Sequence, residues 1–345
     1  MNKKVFVACP ANMATGGPEL MHQLVYHLRN DLNINAFVFY YAYESGINST
    51  PVHPEYSAYN CPYVLEIEPY DDNRINTLVV PEVPLGIMLF KKYQKIKKAV
   101  WFLSVDNYYT FRVKRTDFIF SRAINKLSKK VTGKPVVDIY NLEILYRKYD
   151  YRNDKLLNLA DLYMFQSVSG IDHFKDLSPT YYLSDYINMD YINWGGVNQK
   201  KENIVAYNPK KGSVFTKKII SSAEGIEFIP LVGMSRSQVI GALQKAKCYI
   251  DFGSHPGKDR IPREAAILGC CVITGKRGSA RYYADVPIHE KYKFDESSEN
   301  ISHIISKIFY ILDNFQEASL EFDGYRETIK QEPKKFIEDL KRVPF

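Results

Sequence analysis

Short apolar runs recur along this chain with charged, helix-forming stretches between them, and that alternation constrains the fold more than any other feature. The runs in the first half are "KKVFVAC", "NAFVFYYA", "NTLVVPE", "KAVWFLS", "KPVVDIY" and "DLYMFQS". Each is too brief for a globular helix and is apolar on both alternating faces, which is the pattern of a parallel strand covered on two sides. Between the first two lies "GGPELMHQLVYHL", with Leu20, Leu24 and Leu28 at helical spacing and Pro18 in the first turn. The second half repeats the pattern. "NIVAYNP", "IEFIPLVG", "CYIDFG" and "CCVITG" read as strands, separated by the helices "FTKKIISSA", "SRSQVIGALQKAK" (opened by Ser235) and "PREAAILG". From Ser297 onward the pattern is helical.

Two such series in 345 residues suit two cores rather than one. Periodicity is lost near 184–202, "SDYINMDYINWGGVNQKKE", with Gly195 and Gly196 inside it. The expected organisation is α/β, two Rossmann-like domains at 1–190 and 191–325. A final helix at 326–345 is expected to pack back toward the first domain.

The five cysteines (Cys9, Cys61, Cys248, Cys270, Cys271) are odd in number and lack metal-ligand spacing, so they imply neither a disulfide framework nor a zinc site. No run approaches the roughly 18 apolar residues of a membrane span. The N-terminal apolar stretch is too short for a signal peptide, and a cytoplasmic protein is expected. A net charge of +7 calls for an acidic partner. No nucleic-acid-binding motif accompanies it, so nucleic acid is not the expected partner. Phe120, Ile124, Leu127 and Val131 share one helical face opposite Arg122, Lys126, Lys129 and Lys130, and "KKYQKIKK" at 91–98 adds charge. That is compatible with peripheral contact on an anionic inner membrane face, although a solvated basic face is the commoner fate of such a helix.

Three strand-to-helix junctions carry the candidate chemistry, because open parallel sheets bind ligands at the carboxyl ends of their strands. "PANMATGGPEL" places Gly16 and Gly17 at a helix start, where backbone approaches a ligand closely; taken alone it is equally a tight turn. It does not fit the G-x-G-x-x-G dinucleotide fingerprint. "YNPKKG" puts Lys210 and Lys211 where a diphosphate leaving group would be neutralised, although a solvated loop is the commoner fate of such a pair. "HPGKDRIPREAAILG" gathers Lys258, Arg260 and Arg263 at a helix N-terminus. Glu264 is a fixed carboxylate for vicinal ribose hydroxyls, and His255 a donor to a phosphate or sugar oxygen. The alternative is a capped helix with surface charges.

In this order and spacing the segments resemble the GT-B glycosyltransferases, most of all the large retaining family of bacterial polysaccharide and lipopolysaccharide enzymes. "PREAAILGCCVITGKRGSARYYAD" is similar to that family's donor-nucleotide segment and "TGGPELMHQLVYHL" to its Gly-Gly loop and first helix. "VGMSRSQVIGALQKAKCYID" is similar to the strand, turn and helix before the nucleotide site. "VVPE" (79–82) and "VWFLSVDNYY" (100–109) are similar to central strands of its first domain. The resemblance, over residues 3–290, implies two domains facing each other across a cleft. It also implies a nucleotide-sugar donor, a glycan or lipid-linked acceptor and no metal, in keeping with the lack of an Asp-x-Asp motif. Glu264 would bind ribose and Lys210 or Lys211 the diphosphate, with Gly16 and Gly17 beside donor phosphate and acceptor. Asp106, with Asn107, would face the reacting sugar on the acceptor side; in an inverting reaction Asp106 or Glu19 would take the acceptor proton. The second glutamate usual in the family, eight positions before Glu264, is Pro256 here. "HP" at 255–256 instead resembles inverting transferases using cytidine-monophosphate sugars, such as sialyl- and Kdo-transferases. A nucleotide-sugar 2-epimerase and a non-catalytic binder of sugar nucleotides or glycans are the remaining alternatives.

Overall fold

The computed structural model describes residues 3–46, 48–110, 126–128, 130, 149–194 and 200–345. The strand expected at 134–140, most of the basic helix expected at 120–131, and Gly195 and Gly196 lie outside them. The chain forms two compact units. Unit 1 comprises residues 1–166, 170–183 and 337–345, and unit 2 comprises 167–169 and 184–336. Relative to the sequence boundary, the division falls at Leu183/Ser184. The last helix, Asp323–Leu340, belongs to unit 2 as far as Phe336.

Unit 1 is built on a seven-stranded sheet in the order β3-β2-β1-β4-β5-β6-β7. Its strands are β1 (Lys4–Pro10), β2 (Asn35–Tyr41), β3 (Tyr63–Val64), β4 (Thr77–Pro81), β5 (Lys97–Phe102), β6 (Leu162–Phe165) and β7 (Thr180–Tyr182). Every pairing is parallel, with Val5 opposite Ala36 on one side and Thr77 on the other. β4 is buried throughout and β1 everywhere but its ends, which explains their unbroken apolar sequences. Helix α1 (Gly16–Asn30) returns over β1 and β2 and buries Leu20, Leu24 and Leu28. Each contributes roughly 1.5–3 kcal/mol. The short edge strands β3 and β7 have no counterpart in the sequence reading.

Unit 2 carries a five-stranded parallel sheet in the order β12-β11-β10-β8-β9. Its strands are β8 (Glu202–Tyr207), β9 (Glu227–Pro230), β10 (Ala246–Asp251), β11 (Cys271–Gly275) and β12 (Lys293–Phe294). The helix Arg236–Lys245 starts at Ser235, whose hydroxyl accepts from the Gln238 N–H while the Gln238 side chain accepts from the Ser235 N–H. The Lys201 ammonium donates to the carbonyls of Leu243, Ala246 and Leu268 at 2.8–3.0 Å, collecting chain ends that the helices leave unsatisfied. Cys9, Cys248, Cys270 and Cys271 are buried, as small apolar residues are. No helix among the described residues is long and apolar enough to cross a membrane.

Candidate functional site

In an open parallel sheet the binding crevice lies where strand order reverses. In unit 2 that point is between β8 and β10, and the residues leaving both strands meet there. Gly212 has φ +55°, and a Cβ on it would stand 1.8 Å from the Phe252 carbonyl oxygen. Only glycine lets the Lys210–Gly212 turn lie this close to the end of β10. Lys210 is exposed, whereas Lys211 lies half-buried against Gly253 and donates to both Asp259 oxygens at 2.9 and 2.8 Å.

His255 is buried completely, with φ +42°, in the left-handed region that favours glycine. Its Nδ1 is 3.1 Å from Asp259 and its Nε2 3.6 Å from Asp251. Burial opposes protonation of this imidazole, but the two carboxylates outweigh it and raise its pKa. Burial likewise pushes the Asp259 carboxyl up, and Lys211 with His255 overrides that, holding it below the usual carboxylate range. Asp251, His255 and Asp259 bring one ligand atom each within 4.8 Å of one another, a spacing that suits a divalent ion. Here the charge is balanced internally, by the Lys211 ammonium on Asp259 and the imidazole between the two acids.

The charged helix Arg260–Ile267 does not use all its cations alike. Arg260 and Glu264, one turn apart, approach to 3.7 Å, with Arg260 half-buried and Glu264 buried. Arg263, read from sequence as donor-binding, is wholly buried. Its guanidinium donates to Asp185 at 2.7 Å, Glu332 at 2.9 Å and the Lys258 carbonyl at 2.8 Å. Lys258 is also turned inward, 2.7 Å from Glu332. These two cations are drawn from the ligand edge by buried carboxylates distant in sequence. His255 is corrected in the same way: it is fully buried, and both ring nitrogens face protein acids. The cations left at the edge are Lys210, Lys211 and Arg260, with the Glu264 carboxylate beside them.

In unit 1 the strand order reverses between β1 and β4. Gly16 and Gly17 open α1 after β1, and the Leu103 side chain, beyond β5, lies against Gly17. Asp106 and Asn107 lie in the short helix α2 (Val105–Thr110), half-exposed and exposed respectively. Glu19 is instead 2% exposed and accepts from the Tyr59 hydroxyl at 3.2 Å, which removes it as a candidate base at the surface. Of the lysines at 91–98, Lys98 is buried against the Gln94 and Ile96 carbonyls, Lys92 pairs with Glu66, and Lys97 donates to the Pro344 carbonyl. That leaves less free charge than the sequence suggested.

The sequence reading missed Glu82, which follows β4. It is 1% exposed and accepts from the Leu103 N–H at 3.1 Å. Its other donors are its own N–H, the Ser104 N–H and the Asn107 side chain. Burial lifts this carboxyl to about 7 in spite of those bonds. A carboxyl so raised stabilises the fold fully below its unfolded pKa, and the contribution is lost as pH climbs through 7. The stability of wild type relative to Glu82→Gln should therefore fall by about 3 kcal/mol between pH 5 and pH 8, read by urea denaturation at each pH. A constant difference would show that Glu82 ionises normally.

Both sheets are open and parallel, and both carry polar residues at the point where strand order reverses. The chain has the GT-B fold, the two-domain α/β architecture of nucleotide-sugar glycosyltransferases. It is similar to sucrose-phosphate synthase from Thermosynechococcus elongatus, with TM-score 0.63 and 10% identity over 99% of this chain and 98% of that one. It is similar to Anabaena Alr3699/HepE, solved in complex with UDP-glucose, with TM-score 0.60 and 11% identity over 99% and 100% of the two chains. The lipopolysaccharide outer core galactosyltransferase WaaB in its apo form matches at TM-score 0.50 and 10% identity, over 98% and 99% of the chains. No protein-family model matches the chain, and no curated protein matches it in sequence.

Proposed function

We propose that this protein is a glycosyltransferase that moves a sugar from a nucleotide-sugar donor to a glycan or lipid-linked acceptor in bacterial surface polysaccharide assembly. The observation that carries the reading is the meeting of Lys211, Gly212, Arg260 and Glu264 where the strand order of the second sheet reverses. Departure of a nucleoside diphosphate builds negative charge on its terminal oxygens. Lys211 and Arg260 supply the opposing charge, and preorganised groups of this kind are typically worth several kcal/mol each. Glu264 is the acceptor for vicinal ribose hydroxyls. The first unit handles the sugar acceptor, and Asp106 is the surface carboxylate to take its proton if configuration inverts. The same electrostatic elements do the work of a metal, so none is required. Acceptors held in a membrane suit the remaining exposed lysines near 91–95. The UDP-glucose complex of the similar Anabaena protein favours a uridine nucleotide here. A cytidine-monophosphate donor would call for contact with His255, which is fully buried.

The test is thermal denaturation of wild type and Glu264→Ala with UDP, GDP, dTDP, ADP and CMP. At a hundredfold excess over its dissociation constant, a ligand of the folded state adds about 2.7 kcal/mol. One nucleoside diphosphate should stabilise the wild type and lose most of that effect in the variant. Folded protein indifferent to all five would sink the donor assignment.

A further inference from the structure

We propose that Glu82 is a positioning residue: its ionised carboxylate holds the Leu103–Asn107 turn, and so sets where Asp106 and Asn107 stand at the carboxyl edge of the first sheet. The proposal rests on the glycosyltransferase reading for the ligand that meets those two residues, but not for the turn itself.

An ionised carboxylate only accepts hydrogen bonds. Glu82 is surrounded by donors from the turn: Leu103 N–H at 3.1 Å, Ser104 N–H and the Asn107 side chain. The rest of the turn is tied to the same frame. The Leu103 carbonyl accepts from the Gln166 side chain at 2.6 Å, and the Ser104 hydroxyl accepts from the Asn107 N–H at 3.1 Å, starting α2. The Leu103 side chain reaches Gly17, so the turn also abuts the Gly-Gly loop. Adding a proton to Glu82 puts an O–H donor among N–H donors, and at least one of them must let go. One proton thus selects between two arrangements of the turn. Among the described residues no lysine, arginine or histidine forms an ion pair with Glu82. The titratable neighbour on β2 is the Tyr41 phenol, which burial, with Cys9 and Glu82 close by, pushes far above neutrality. On the turn itself the charged group is Asp106. With Glu82 held near 7, the two arrangements interchange in the physiological range.

The experiment follows protein carrying 13Cδ-glutamate between pH 5 and pH 9, with the Glu82 signal identified by its absence from Glu82→Gln. The Glu82 carbon and the Leu103 and Ser104 amides should share one midpoint near 7, and the amide titration should vanish in the variant. In transfer assays with the donor nucleotide found by thermal shift, wild-type kcat/KM should fall about tenfold per pH unit below the midpoint. Glu82→Gln should give a flat profile, at least tenfold lower at pH 8, with nucleotide binding unchanged; glutamine is isosteric and removes a buried charge, so the fold is kept. A carboxyl titrating below pH 5, amides that do not follow it, or a variant with the wild-type rate and profile would each overturn the proposal. Should no nucleotide bind, the glycosyltransferase reading fails by itself, and the shared titration still decides whether Glu82 governs the turn.

Discussion

Arg263→Met is expected to lower the unfolding free energy by about 3–5 kcal/mol, the cost of removing one partner from a buried charge network. The guanidinium has no exposure and joins Asp185 and Glu332, which are themselves 1% and 3% exposed. Burial alone would lower the pKa of this arginine, and the two carboxylates reverse that. With methionine in place, Lys258 remains to serve Glu332, but Asp185 keeps a desolvated negative charge with no cation. Asp185 lies one residue after the chain enters the main segment of unit 2 and Glu332 four before it leaves, so the loss falls where both ends of that segment are anchored. Urea denaturation gives the magnitude. A variant as stable as wild type but unable to bind nucleotide would mean that Arg263 belongs to the donor site after all.

Gly212→Ala should come next, at roughly 2–5 kcal/mol, combining a left-handed backbone for an L residue with steric overlap. The added methyl would overlap the Phe252 carbonyl, which is main chain and does not swing aside. The turn must move as a whole and carry Lys211 away from Asp259. Stability and nucleotide affinity should therefore fall together, measured by denaturation and by isothermal titration. If affinity holds while stability drops, Lys211 is not a donor contact.

These two residues also mark how far the sequence could be read. Gly212 stood in a quoted junction between a strand and a helix, and its place follows from local rules. So does the Ser235 cap, and so do the central strands, whose apolar runs are continuous because both faces are covered. Arg263 looked identical in kind to Arg260, three positions earlier. What separates them is Asp185 and Glu332, 78 and 69 positions away, and no local pattern reports such partners. Glu82 was passed over as the polar end of a strand, since burial of a carboxyl depends on the turn from 103 to 107 folding across it. The edge strands β3, β7 and β12 are two or three residues long, too short for any period to show.

The division of the chain has a consequence in time. Unit 1 takes in Ile337–Phe345, with Leu340, Val343 and Phe345 buried, although its preceding segment ends at Leu183. About 150 residues of unit 2 are made in between, which at about 5–20 residues per second takes on the order of 8–30 s. Through that interval unit 1 lacks the segment that carries Leu340, Val343 and Phe345, while the second unit already holds its whole sheet. The unit that starts first is thus the one that finishes last.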